Sequence, residues 1–265
     1  MNTSGPIGVF DSGVGGLSVL REIRQLLPNE NVIYVADSGS GPYGERSADF
    51  IEGRARAIVR FLIARHAKAV VVACNTATSV AVAHLRAAYP LPVVAIEPAV
   101  KPAVASSRTG VVGVLATTAT LASQKFRDLV DRHGRQARVL VQPCPGLAER
   151  VEAGDFASAE TDTLVAGYVR PLIEQGADTI VIGCTHYTFL TPTIQRLVGA
   201  SVSIVDPAPA VAREVRRCLD RHELMTSARG AASEEFWTSG SPEPVARVIS
   251  LIWGAETTVQ PLPRL

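Results

Sequence analysis

The chain alternates short, apolar, β-branched runs with longer segments whose apolar residues recur at helical spacing. Ile7–Phe10, Val32–Ala36, Ala69–Ala73 and Pro92–Ile96 read as strands. Between them, Leu17–Leu27 sets Leu17, Leu20, Arg24 and Leu27 at helical spacing and stops at Pro28, and Glu45–Ala67 carries an apolar face through Ile51, Ala55, Ile58 and Leu62. The pattern then restarts. Val111–Ala116, Ala137–Val141, Thr179–Gly183 and Ser201–Val205 are strand-like, with helix-like Leu121–Arg132, Ser158–Glu174 and Tyr187–Val198 between them. Near-continuous apolar strands separated by helices predict buried, largely parallel sheets. Eight strands in two sets of four predict an α/β fold of two doubly wound lobes; a closed eight-stranded barrel is the alternative.

Comparison of the halves favours two lobes. Gly8-Val9-Phe10-Asp11-Ser12 aligns with Gly113-Val114-Leu115-Ala116-Thr117, and Val71-Val72-Ala73-Cys74 with Val181-Ile182-Gly183-Cys184, in the same order and at nearly the same separation. Two strand-ending motifs repeated once indicate a duplicated structural unit, not a solenoid. Two pseudo-symmetric lobes facing each other across a cleft satisfy that pairing; a barrel does not predict it. Toward the C-terminus, Leu224–Glu235 is small and polar and reads as a linker. Phe236–Ser239 and the helix-like Val245–Trp253 are expected to return to the first lobe.

Composition narrows the class. With 47% hydrophobic and 19% charged residues in 265, the chain is globular, with ample material for a core. Twenty-six basic against 25 acidic residues leave a net charge of +1, so no global attraction to nucleic acid or an anionic membrane is expected. No apolar run approaches the roughly 18 residues of a membrane span. Met1–Pro6 is too polar and short for a signal peptide, which points to the cytoplasm. The four cysteines, Cys74, Cys144, Cys184 and Cys218, lack the spacing of a zinc site or a CxxC pair, and are expected to be reduced.

Cys74 and Cys184 are the principal chemical signal. Each follows a predicted buried strand and precedes a polar, helix-like segment (Asn75-Thr76 and Thr185-His186). Open α/β sheets bind ligands at the carboxyl ends of their strands, where a following helix's positive end favours a thiolate. A single buried cysteine is commonly just a small hydrophobe; two at equivalent places in duplicated lobes ask for a role. Cys144 and Cys218 lack that setting and read as structural. Asp11 and Ser12 end the first strand and open the turn Gly13-Val14-Gly15-Gly16, whose backbone amides suit a carboxylate or phosphate, or simply start a capped helix. Gly39-Ser40-Gly41-Pro42-Tyr43-Gly44 satisfies GxGxxG, but the acidic residue a dinucleotide site wants after the next strand is replaced by Cys74-Asn75. A glycine-lined loop presenting Tyr43 and backbone amides to a ligand is expected instead. A lone histidine is ordinarily a satisfied core or surface residue, but His186 shares a strand end with Cys184, where hydrogen-bonding reach to a reacting thiol or to an ammonium group's carboxylate partner is expected. Glu152 is a weaker candidate, its ordinary reading being an acid on a helix surface. Two opposed thiols without further ligands or a resolving cysteine suit stereochemical inversion: one thiolate removes a proton from a carbon acid, and the opposite thiol returns one to the other face.

The segments GVFDSGVGGLSVL, YVADSGSGPYGERS, VVACNTATS, IEPAVKPA, GVLATTATLAS, VEAGD and IGCTHYTFL, in this order from Ile7 to about Leu190, resemble the glutamate racemases of the aspartate/glutamate racemase family. The resemblance implies racemisation of L- and D-glutamate for cell-wall precursor supply, with neither cofactor nor metal, in a cytoplasmic homodimer. It implies Cys74 and Cys184 as the acid/base pair, Asp11 assisting Cys74, and His186 and Glu152 assisting Cys184. Asp11-Ser12, Tyr43-Gly44, Asn75-Thr76 and Thr185-His186 would hold the substrate, with the Thr117 and Thr120 hydroxyls near its carboxylate. The lobes would comprise residues 1–97 with 211–265, and residues 98–210. Thr188, where proline is frequent, and the glycine-rich Ser38–Gly41 depart from the family's pattern. Related aspartate racemases tend to carry an acid where this chain has His186, which favours glutamate.

Overall fold

The computed structural model describes residues 3–230 and 232–264; Met1 and Asn2 of the polar N-terminus and Ala231 of the polar C-terminal stretch lie outside the described residues. The first half runs β1 (Ile7–Asp11), α1 (Leu17–Leu26), β2 (Val32–Ala36), α2 (Ala48–Ala64), β3 (Ala69–Val72), α3 (Asn75–Ala88) and β4 (Val93–Ala95). The second runs α4 (Val100–Ser106), β5 (Val111–Ala116), α5 (Thr118–Ala122), α6 (Gln124–His133), β6 (Arg138–Pro143), α7 (Leu147–Glu152), α8 (Ala159–Glu174), β7 (Thr179–Ile182), α9 (Thr191–Val198) and β8 (Ser203–Val205). The chain closes with α10 (Ala208–Arg221), β9 (Glu234–Thr238), α11 (Pro242–Trp253) and β10 (Val259–Pro261).

Two parallel sheets result. One has the order β10-β9-β2-β1-β3-β4 and the other β6-β5-β7-β8. The series β2-β1-β3-β4 and β6-β5-β7-β8 are the same arrangement repeated four strands later, so the duplicated motifs reflect duplicated topology. The sets are not four and four, because β9 and β10 extend the first sheet beyond β2, with Tyr34 opposite Phe236 and Val259 opposite Phe236. Glu234 and Glu235, at the end of the expected linker, already belong to β9.

Period-two alternation explains why these strands are apolar throughout. Ile7, Val9, Tyr34 and Val71 enter a core with α1, α10 and α11, whereas Phe10, Ile33, Val35, Val70 and Val72 enter another with α2 and α3. Both faces of the first sheet are therefore covered. The first of these cores continues into the second sheet through Leu115, Ile180 and Ile182, and a third, around Val112, Val114 and Val181, packs beneath α4 and α6. Local capping sets the helix limits. Ser47 caps α2, its Oγ accepting from Phe50 N–H, so the expected helix begins at Ala48 and not at Glu45. Ser123 caps α6 in the same way and splits the segment Leu121–Arg132 into α5 and α6. Among the described residues, no helix is long and apolar enough to cross a membrane.

Candidate active site

The carboxyl ends of β1, β3, β5 and β7 converge on one narrow cavity. Cys74 and Cys184 both line it, one from each sheet, together with Ser12, Asn75, Thr76, Thr117, Thr185, His186 and the turn Pro42-Tyr43-Gly44. It is closed down to about 10 Å³, near the minimum for one water. A wider cavity of about 320 Å³, lined by Arg46, Thr118, Glu149 and Tyr187, shares the walls Pro42, Gly44, Thr117 and Ala148 with it. A larger hollow of about 750 Å³ lies behind α1 and touches the turn after Cys184 only through Thr188 and Phe189.

The two thiols have different surroundings. Cys74 is the N-cap of α3; its sulfur accepts from Ala77 N–H at 3.4 Å and its S–H donates toward Ser12 Oγ at 3.7 Å. Burial pushes the Cys74 thiol well up, the nearby Asp11 carboxylate adds to this, and the Ala77 amide opposes it. Cys184 precedes a 3₁₀ turn, Thr185–Leu190, which brings His186 Nδ1 to 3.8 Å from its sulfur. Burial disfavours the His186 imidazolium, but Cys184, the Glu152 hydrogen bond and the Asp11 charge outweigh it and hold the ring well above the ordinary histidine range.

Two carboxylates flank that ring. Glu152, at the end of α7, lies 2.6 Å from His186 Nε2. Burial is the largest single influence and would raise its pKa; the His186 hydrogen bond and charge, with the Val14 amide and the Ser38 hydroxyl, together outweigh it and lower it. Asp11 lies 3.9 Å from His186 Nδ1, and its Oδ2 accepts from Gly16 N–H at 2.8 Å and from Thr185 Oγ1 at 3.4 Å. Burial raises Asp11, partly offset by His186. Neither Asp11 nor Glu152 lines the closed cavity itself.

The glycine turn does bind carboxylates, but they are the protein's own: Val14 N–H donates to Glu152 at 2.6 Å, and Gly16 N–H to Asp11. Glycine is needed because a Cβ at Gly13 would overlap the Glu152 carboxylate, and one at Gly15 the His186 ring. Gly13→Ala is expected to cost about 1–3 kcal/mol of stability, as overpacked sites do. An unchanged denaturant midpoint for that variant would count against this close-approach account.

The remaining polar residues divide by what their side chains already do. Thr76 Oγ1 lies 2.9 Å from Thr117 Oγ1 and 3.2 Å from Thr120 Oγ1, a hydroxyl cluster spanning both sheets' ends. The Tyr43 hydroxyl donates to Asp37, whose carboxylate also accepts from Arg54 at 2.7 and 3.0 Å. Tyr43 and Gly44 both line the cavity, with the Tyr43 hydroxyl already engaged by Asp37. Asn75 is different. It is 4% exposed, lines the cavity, and neither amide atom has a hydrogen-bond partner; Asp11 Oδ1 is likewise unpartnered. Buried polar groups left open carry a cost that an incoming ligand can relieve. Sequence reasoning missed Asp37, Arg54, Ser38 and Tyr34. Asp37 follows β2 as Asp11 ends β1, a strand-end acid that the same reading could have found.

A thiol from each of two similarly ordered parallel sheets, meeting at one enclosed polar cavity, defines a two-lobed α/β protein with its active site in the cleft between the lobes. The chain belongs to the Asp/Glu/hydantoin racemase family, whose profile matches residues 7–215. It is 55% identical over 262 residues to the glutamate racemase of Pseudomonas entomophila, covering 98% of each chain. Its fold matches that of a Bacillus anthracis glutamate racemase isoform with a TM-score of 0.90 at 32% identity, covering 98% of each chain. The Escherichia coli glutamate racemase, solved with L-glutamate and the activator UDP-MurNAc-ala, matches with a TM-score of 0.87 at 32% identity, over 98% of this chain and 99% of that one.

Proposed function

We propose that this chain interconverts L- and D-glutamate without a cofactor, using Cys74 and Cys184 as acid and base on opposite faces of the α-carbon. The observation that carries the reading is the pair of thiols at equivalent strand ends lining a single cavity. The names and full-length similarity of the relatives support glutamate as the substrate.

In the reaction one sulfur, as thiolate, takes the α-proton, and the C–H electron pair remains on carbon. The opposite thiol then gives its proton to the other face, leaving the two sulfurs with exchanged protonation. The upward push on Cys74 suits it to rest as the proton donor. His186, beside Cys184, would pass a proton to and from that sulfur, and Asp11 would serve Cys74 in the same way. The carbanion needs preorganised donors, typically a large catalytic contribution. The unpartnered Asn75 amide, the Ser12 and Thr185 hydroxyls and the Thr76–Thr117–Thr120 cluster would supply them and hold the two carboxylates. Because the closed cavity is far smaller than glutamate, the units 1–97 with 211–265 and 98–210 would separate to admit it. Product D-glutamate would serve cell-wall precursor synthesis in the cytoplasm, and the active form would be a homodimer, as the resemblance implies.

The test is proton NMR of purified protein with L- or D-glutamate in D₂O, with no added cofactor. The expected result is loss of the α-proton signal together with the opposite enantiomer on a chiral column. Exchange without inversion would reduce the site to one working base. Inertness toward glutamate with turnover of aspartate would move the substrate assignment.

A further inference from the structure

Glu152 has two oxygens, and they do different work. Oε1 accepts from Val14 N–H and lies against His186 Nε2, both at 2.6 Å, whereas Oε2 meets Ser38 Oγ at 2.8 Å. A carboxylate's terminal torsion is broad and roughly two-fold, so partners on one oxygen alone leave the group free to pivot. A donor on the other oxygen fixes its plane. We propose that Ser38 is a positioning residue, whose hydroxyl holds Glu152 in the orientation that presents Oε1 to His186 and, through it, to Cys184. This assignment rests on the proposed racemase reading of the site.

Ser38 is well placed for that task. It follows β2, next to Asp37, whose carboxylate is tied by Tyr43 and Arg54 and whose amide donates to Asp11 O at 3.0 Å. The donor is therefore mounted on the first sheet while Glu152 and His186 come from the second half of the chain, and the bond spans 114 residues. The titratable groups facing Glu152 are His186, Asp11 and the buried Tyr34, with Cys184 beyond His186. The Ser38 hydroxyl favours the ionised carboxylate. Its loss therefore raises the pH at which Glu152 takes up a proton.

The experiment compares the full-length wild type with Ser38→Ala and Ser38→Thr, measuring kcat and KM for both enantiomers across pH, thermal unfolding, and the ring resonances of His186 by nitrogen-15 NMR. Ser38→Ala is expected to lower kcat/KM by roughly 3–10-fold, the loss of about one hydrogen bond of ordinary net strength. The loss should reside in kcat, with the acid limb of the profile moved to higher pH and the His186 resonances shifted. Ser38→Thr should restore all three. A purely structural role would lower activity evenly across pH and leave the limb in place. An unmoved limb with unmoved His186 resonances, or failure of threonine to restore them, overturns the assignment. If the wild type does not racemise glutamate, the functional reading fails separately, and the His186 resonances still decide whether Ser38 positions Glu152.

Discussion

Cys184→Ala and Cys74→Ala are each expected to reduce racemisation of glutamate by at least about 10²–10⁴-fold, the range for removing a positioned acid or base. Enantiomers have equal free energy in water, so kcat/KM must fall by the same factor in both directions whichever thiol is removed. The variants should instead differ in proton exchange. With one base left, each should wash deuterium into a single enantiomer without inverting it, and the two variants should select opposite enantiomers. This pattern is a stronger test than lost turnover, since a collapsed site also loses turnover but does not exchange selectively. Cys→Ser variants separate the two roles further, because a weak acid can still donate to an activated carbanion while a serine makes a poor base at neutral pH. Near-normal racemisation in either alanine variant would falsify the two-base scheme.

The two thiols are legible in the sequence because each sits where an apolar strand gives way to polar residues, a signal contained within six or seven positions. The same holds for Asp11 and Ser12. Glu152 is not legible in this way. Its partners Val14, Ser38 and His186 lie 138, 114 and 34 residues away, so nothing local separates it from an acid on a helix surface. The glycine turn shows a subtler gap. Its amides suit a carboxylate or phosphate ligand, but the carboxylates they bond are the protein's own, Glu152 from 138 residues away and the nearby Asp11, and the missing Cβ atoms accommodate Glu152 and His186. In the fold, β10 was invisible because it is three residues long and buries only Val259, too little for any alternation. Apolar periodicity also runs across Ser123 and across the junction before Thr191, whereas the helix limits there come from capping and the 3₁₀ turn.

At the opposite ends of the same strands, Lys68→Ala is expected to be the most destabilising single change outside the core. Lys68 Nζ pairs with the Glu30 carboxylate, and each side chain is only 1% exposed. Lys68 also donates to Thr3 O at 2.6 Å, and Glu30 Oε1 accepts from Thr226 N–H at 2.8 Å. The pair therefore joins the entries of β1, β2 and β3 to the segment after α10. Removing one partner strands a buried charge, at a cost of about 3–5 kcal/mol, which for a chain of this size lowers Tm by roughly 10 °C or more. Replacing both with apolar residues, as in Lys68→Met with Glu30→Leu, should recover most of that loss, since the pair's desolvation cancels much of its attraction. The site lies at the carboxyl ends of these strands, so kcat measured well below unfolding should stay near wild type in both variants. Additive losses in the double variant would show that the two side chains act independently, and a fall in kcat without a fall in Tm would mean that the amino ends of the strands are coupled to the cavity after all.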